Sequence, residues 1–269
     1  METIQTLTLF IISYFAGLLG SMSGLGGGLV IVPVLLHGFG IPLPYAVAAS
    51  LLGVIATSIA STSLLLPRGL VHLPLSVFLE TASVLGAIFG ASIAYLVPAK
   101  TIALIFSAVL FYTGYQGFRG PPAPKVFVEN GRAPFLDLSF TYKEKLHQAH
   151  HPVITWFSML IGGILSSLLG IGSGVINVIL FERLMGLPLL VATATSSSMI
   201  GMTAAASAWV YLEKGFIDSS VIYPLVPGIL LGSLSGAYLV KIVPQRYVRY
   251  LFSTLVLVMG IRMLWGTFS

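Results

Sequence analysis

The sequence predicts an all-α polytopic membrane protein: two inverted, pseudosymmetric repeats of about five helical segments each, eight to ten membrane helices in all. Three observations carry this. The first is composition. Of 269 residues, 57% are hydrophobic and 8% charged, against about 25% charged in soluble domains; mean hydropathy is +1.00. Most of such a surface must face something other than water. The second is an internal duplication. A shift of 146 positions, which carries Gly24 onto Gly170, aligns the halves without a gap. GLGGG at Gly24–Gly28 falls on GIGSG at Gly170–Gly174, Ser50 on Ser196, Gly69 on Gly215, and Gly86/Gly90 on Gly232/Gly236. The period is too long for a solenoid. In an apolar chain it suggests a transporter, with two halves around one path. The third is the placement of basic residues, taken up below.

The segments follow in order. In the first half they are 4–22, 26–38, 43–66, 74–97 and 101–118; in the second, 153–169, 172–185, 189–212, 220–243 and 247–265. The start, METIQTLTLF, lacks a basic region and a cleavage site and reads as the first helix. The second segment of each half is too short for a hydrocarbon core that needs about 20 residues, and it begins at the glycine cluster. The first two segments either both cross or form a hairpin that dips in and returns. The short second segment favours the dip, with the glycine tip near the midplane, where exposed N–H groups are tolerated only in a lined cavity. The third, fourth and fifth segments can span. Three units result: an N-terminal membrane repeat over 1–118, a linker over 119–151 and a C-terminal membrane repeat over 152–269. The stretch Leu138–His151 reads as a short interfacial helix.

Orientation follows from Lys and Arg. An odd number of net crossings per half puts Arg68, Arg119, Lys125, Arg132, Lys143, Lys145, Arg183, Lys241, Arg246 and Arg249 on one side, ten of the thirteen, and leaves Lys100, Lys214 and Arg262 on the other. An even number splits them eight to five. The odd count inverts the second half relative to the first. It makes the linker cytoplasmic, in a multi-pass protein of the plasma (inner) membrane, with both termini outside.

The net charge of +5 is thus a topology signal, not a nucleic-acid footprint. With no Cys, disulfides and thiolate chemistry are excluded. No cofactor and no metal site are expected: His147, His150 and His151 stand without a carboxylate cluster. No GxxxxGK[ST] motif is present, so energy must come from an ion gradient or a separate subunit.

The candidate substrate-binding residues begin with Gly24, Gly26, Gly27, Gly28, Gly170, Gly172, Ser173 and Gly174. Glycines before a helix expose backbone N–H groups beside a positive helix end, which makes an anion site without Arg or Lys. Close helix packing is the alternative, and for Gly86/Gly90 and Gly232/Gly236 it is the preferred one. Hydroxyls at Ser50, Thr57, Thr195, Ser196 and Ser197, with the amide of Asn177, could line the same path or simply satisfy helix carbonyls. Ser198 and Thr203 are open to the same two readings. Glu80 is the most conspicuous ionisable residue within a span, a candidate for a coupling proton or an interfacial, snorkelling side chain. His37, His72 and Arg262 read as interfacial.

The run GSMSGLGGGLVIVPVL at Gly20–Leu35, followed by an Ala-rich helix with Ser50 and repeated after a basic central loop, resembles the TauE/SafE family of sulfite exporter and sulfonate permease proteins. The second copy departs from it at Ser173 (for Gly27) and Ile179 (for Pro33). The resemblance implies an all-helical carrier of small sulfur-containing anions such as sulfite, thiosulfate or sulfoacetate. The expected partners are that anion, the lipid bilayer and a coupling ion, proton or sodium; a homo-oligomer stays open. A passive anion channel and, remotely, an intramembrane hydrolase built on Ser173 are the alternatives.

Overall fold

The computed structural model describes residues 3–119, 139–142, 145–148, 152–240 and 242–268. Ten α-helices fall where the apolar segments lie. They are α1 (Thr3–Ser23), α2 (Gly28–Gly38), α3 (Leu43–Leu65), α4 (Leu73–Ile93), α5 (Ala99–Arg119), α6 (Pro152–Leu169), α7 (Gly174–Arg183), α8 (Leu189–Glu213), α9 (Ser219–Leu239) and α10 (Gln245–Phe268). Eight are long and apolar enough to cross a membrane; α2 and α7, at 11 and 10 residues, are not. Large apolar side chains such as Phe89, Phe157, Ile161 and Ile261 are exposed, as a lipid-facing surface requires.

Local chemistry sets the boundaries. Proline opens helices where a missing N–H costs nothing: Pro44 in α3, Pro74 in α4 and Pro152 in α6. His72 caps α4 by accepting from Leu75 N, and Asp218 caps α9 by accepting from Ser220 N. α4 stops at Ile93 and tightens into a 3₁₀ turn, Ala94–Leu96, so the segment expected through 97 ends in a narrower coil. Where an interfacial helix is expected over Leu138–His151, the described residues form strands. Ser139–Tyr142 and Lys145–Gln148 pair as antiparallel strands β1 and β2, Ser139 opposite Gln148. Phe140, Thr141 and Tyr142 are strong strand formers. The rest of the expected linker, including His150 and His151, lies outside the described residues.

Small residues set the packing. α1 runs beside α9 in the same direction: a Cβ on Gly228, Gly232 or Gly236 would strike the backbone of Phe10, Tyr14 or Leu18 in turn. α6 runs beside α4 in the same direction, with Gly86 on Leu160 and Gly90 on Ile164. Gly86, Gly90, Gly232 and Gly236 thus stand at close helix contacts, in line with the packing reading. α5 and α10 run oppositely, Gly114 against Leu257 and Gly117 against Ser253. α3 and α8 form the centre, and their spans are the most buried of the eight.

The two ends of the bundle differ in charge. At one end Arg68 donates to Ala237 O near the end of α9 (3.1 Å), Arg119 closes α5, Arg246 opens α10 and Arg249 pairs with Glu182 of α7. At the other, the Lys214 ammonium lies 4.8 Å over the Tyr95 ring, Lys100 opens α5 and Arg262 adjoins His37.

Candidate functional site

α1 and α2 form a hairpin. The start of α1 (Ile4, Gln5, Thr8) and the end of α2 (Val34, Gly38) wall one cavity, so the chain returns to the end it came from. Its turn carries Gly24, Gly26 and Gly27 at φ 73°, 82° and 74°, a left-handed backbone that glycine alone adopts without cost. In the second turn, between α6 and α7, Gly170 and Gly172 match at 69° and 66°. Ser173 stands at φ −63° where Gly27 is left-handed. There the backbone has no need of glycine, which accounts for the departure between the copies.

The two turns meet. Gly26 and Gly172 both lie against Val54 and Ile200, which sit halfway along α3 and α8. A Cβ on Gly28 would come 2.6 Å from Gly170 O, and one on Gly174 would come 2.7 Å from Gly24 O. Ser50 donates to Gly170 O (2.6 Å) and Ser196 to Gly24 O (2.8 Å), so each hydroxyl ties down the turn of the other half. All these residues are buried. The expectation that both hydroxyls face an anion is not how they stand: their protons are spent on carbonyls. The free donors are backbone ones. The N–H groups of Gly27, Gly28 and Leu29, and of Gly172, Ser173 and Gly174, meet no acceptor among the described residues. They are the orphan donors of two helix starts.

Beside the second turn runs a polar chain. Asn177 Nδ2 donates to Ser173 Oγ (3.1 Å), Ser173 Oγ lies 3.3 Å from Thr203 Oγ1, and Thr203 donates to Glu80 Oε1 (2.7 Å). Glu80 is 4% exposed, so it does not snorkel. Its Oε2, like Asn177 Oδ1, has no partner among the described residues. The counterpart of Thr203 is Thr57, which donates to Gly53 O (3.1 Å) and Gly26 O (3.4 Å) and accepts from Ser233 (3.1 Å). The position matching Glu80 is Val226, so one half carries an acid and the other does not.

The family profile described as sulfite exporter TauE/SafE matches residues 9–263, a stretch that includes both turns and the polar chain. The chain belongs to the TauE/SafE family. It is 23% identical to the probable membrane transporter protein YdhB of Bacillus subtilis (strain 168), with 86% of each chain covered. It is 24% identical to the probable membrane transporter protein YunE of the same organism, covering 97% of this chain and 98% of the relative. No solved structure matches.

Within this TauE/SafE chain not every predicted residue reaches the turns. Thr195 accepts from His72 N (3.0 Å) and so faces α4. Ser197 receives the Ser58 hydroxyl on its carbonyl (2.7 Å) at the α3–α8 crossing, while its own Oγ has no partner among the described residues. Successive residues on a helix point about 100° apart, so of this hydroxyl run Ser196 alone ties the opposite turn. His72 is buried at the start of α4, which it caps. Ser233, which donates to Thr57, carries no mark in the sequence, whereas Thr203 is one of the candidate hydroxyls and reaches Glu80. The duplication holds the signal for Thr203, which lies 146 positions after Thr57.

Proposed function

We propose that this chain is a secondary transporter of a small sulfur-containing anion of the sulfite, sulfonate or sulfoacetate type, working by alternating access of two inverted repeats. The repeats are the N-terminal unit 1–118 and the C-terminal unit 152–269, joined by a cytoplasmic linker 119–151 in the plasma membrane. The observation that carries the reading is the reciprocal tie, Ser50 to Gly170 O and Ser196 to Gly24 O, with unpaired N–H groups on both turns. The hydroxyls occupy the turn carbonyls, which leaves a face rich in donors at two positive helix ends. Such a face suits a compact oxyanion and needs no cationic side chain.

Inversion is supported by helix directions. α9 runs with α1 and α6 with α4, while short loops make neighbouring spans alternate. Counterpart helices then point opposite ways, and the glycine turns enter from opposite faces. Glu80 is the coupling residue in this reading, holding a proton or a sodium ion. Its carboxyl is buried beside Thr203 and linked through Ser173 to the second turn. YdhB and YunE being named probable transporters supports transport over hydrolysis.

The test is a purified protein in proteoliposomes with labelled sulfite, sulfoacetate and unrelated carboxylates. Saturable uptake and counterflow of a sulfur oxyanion are expected. Glu80→Gln should keep counterflow and lose gradient-driven accumulation. High flux without saturation or counterflow would replace the carrier by a channel, and thermal stabilisation by no anion would remove the central site.

A further inference from the structure

A second site lies off the centre, at the end of the bundle that gathers arginines. There α7, α5 and α10 enclose a cavity of about 70 Å³, room for several waters by the volume one water needs. Arg183 stands exposed at its rim. Arg249 and Gln116 form its wall, and its inner end reaches Leu25 of the first turn, Val175 after the second, and Thr193, against which Gly24 packs.

The Arg249 ion pair is unusual in its geometry. A guanidinium and a carboxylate normally dock fork to fork through two nitrogens. Here Arg249 Nη2 alone takes both Glu182 oxygens, at 2.9 and 2.8 Å. Nη1 is buried and has no partner among the described residues, and the same holds for Gln116 Oε1 on the facing wall. The pair is close to buried, with side chains 17% and 7% exposed. An unpaired guanidinium nitrogen withheld from water is costly. A stability device would close the fork; this one leaves Nη1 without a partner among the described residues, on a residue that lines a cavity reaching the central turns.

The opposite mouth supplies a contrast. Residue by residue, Arg183 corresponds to His37 and Gln116 to Arg262, and those two wall the cavity there. The position matching Glu182 is Leu36. Both mouths are basic, but among the described residues that line them a carboxylate stands at this one and not at the other.

We propose that Arg249, with Arg183 at the rim, forms an entry site for a small oxyanion, and that Glu182 is its built-in competitor. The Glu182 carboxylate holds the guanidinium while the site is empty, and an arriving oxyanion takes Nη1 and displaces it. This rests on the anion-transport reading and extends it to a second, peripheral site.

The experiment uses the full chain in nanodiscs at low ionic strength, where surface charge is least screened, with sulfite and sulfate as probes. Arg249→Gln should weaken binding roughly tenfold or more, the worth of a charge-assisted hydrogen bond. Glu182→Gln, which frees the guanidinium, should tighten it. Both variants should lower the melting temperature without anion, because both break the pair. A merely structural pair would lower both melting temperatures and leave both affinities unchanged, and that result overturns the proposal, as does weaker binding in Glu182→Gln. A second readout does not depend on the anion chosen. The chain has no cysteine, so Thr193→Cys gives a single thiol at the inner end. Glu182→Gln in that background should speed its labelling by an anionic thiosulfonate more than by a cationic one; equal rates sink the gate. No binding by the parent protein sinks both readings. Binding that Ser50→Ala abolishes but Arg249→Gln leaves intact sinks this one alone.

Discussion

Ser50 and Ser196 each spend one hydroxyl on the other half of the chain. The equivalence of the two positions was legible in the sequence; the direction of their protons was not. In α8 the run Thr193–Ser198 is small throughout and polar at every position but Ala194, so no stripe marks which residue faces the turn. Only the opposed carbonyl does that. Each bond is buried, and removing the donor leaves a carbonyl without it in a site closed to water. Ser50→Ala and Ser196→Ala should each destabilise the protein by about 1–3 kcal/mol, read as a lower unfolding midpoint in detergent. The double variant should depart from the sum, because both bonds clamp the same pair of turns. Glu80 teaches the same lesson. Its place one or two turns into α4 fits a snorkelling chain, and only the facing Thr203 shows that it turns inward.

At the scale of elements, apolar runs located all ten helices, because length and hydrophobicity suffice where lipid is the solvent. Packing partners were less accessible, since a helix apolar all round carries no amphipathic signal. Glycine spacing partly replaced it. Gly86→Ala and Gly232→Ala would each push a methyl into a backbone carbonyl, of Leu160 and Tyr14, and should cost about 1–3 kcal/mol or more by overpacking. Gly38→Ala, with Val34 Cγ1 as its nearest neighbour at 3.8 Å, should change stability by less than about 0.5 kcal/mol. Gly40→Ala separates strain from crowding: nothing lies within 4 Å, but φ is +65°, so it should cost about 1–2 kcal/mol. Thermal unfolding of the four variants side by side tests the ranking. In the charged linker the spacing suggests an amphipathic helix, but the Phe-Thr-Tyr run favours the strand that forms.

At the scale of the molecule, the basic residues make the clearest prediction. Alkaline phosphatase fused after Ser269 should be active outside, and a fusion within the linker should be inactive. A cytoplasmic C-terminus would remove the odd crossing count and with it the inversion. The duplication told which residues are equivalent, but not that the halves interlock. Gly28 rests on Gly170, and Gly17 on Ile229, more than two hundred residues downstream. During synthesis at about 5–20 residues per second, α1 would therefore wait roughly 10–40 s for α9 to leave the ribosome. Through that interval Gly17 lacks Ile229, and the first turn has α1 and Val54 against it but not Thr193, Ile200 or Gly170. The first half must be sheltered by the insertion machinery or held at the membrane edge until the second arrives, and a chain truncated after the linker should be degraded rather than accumulate as a half-carrier.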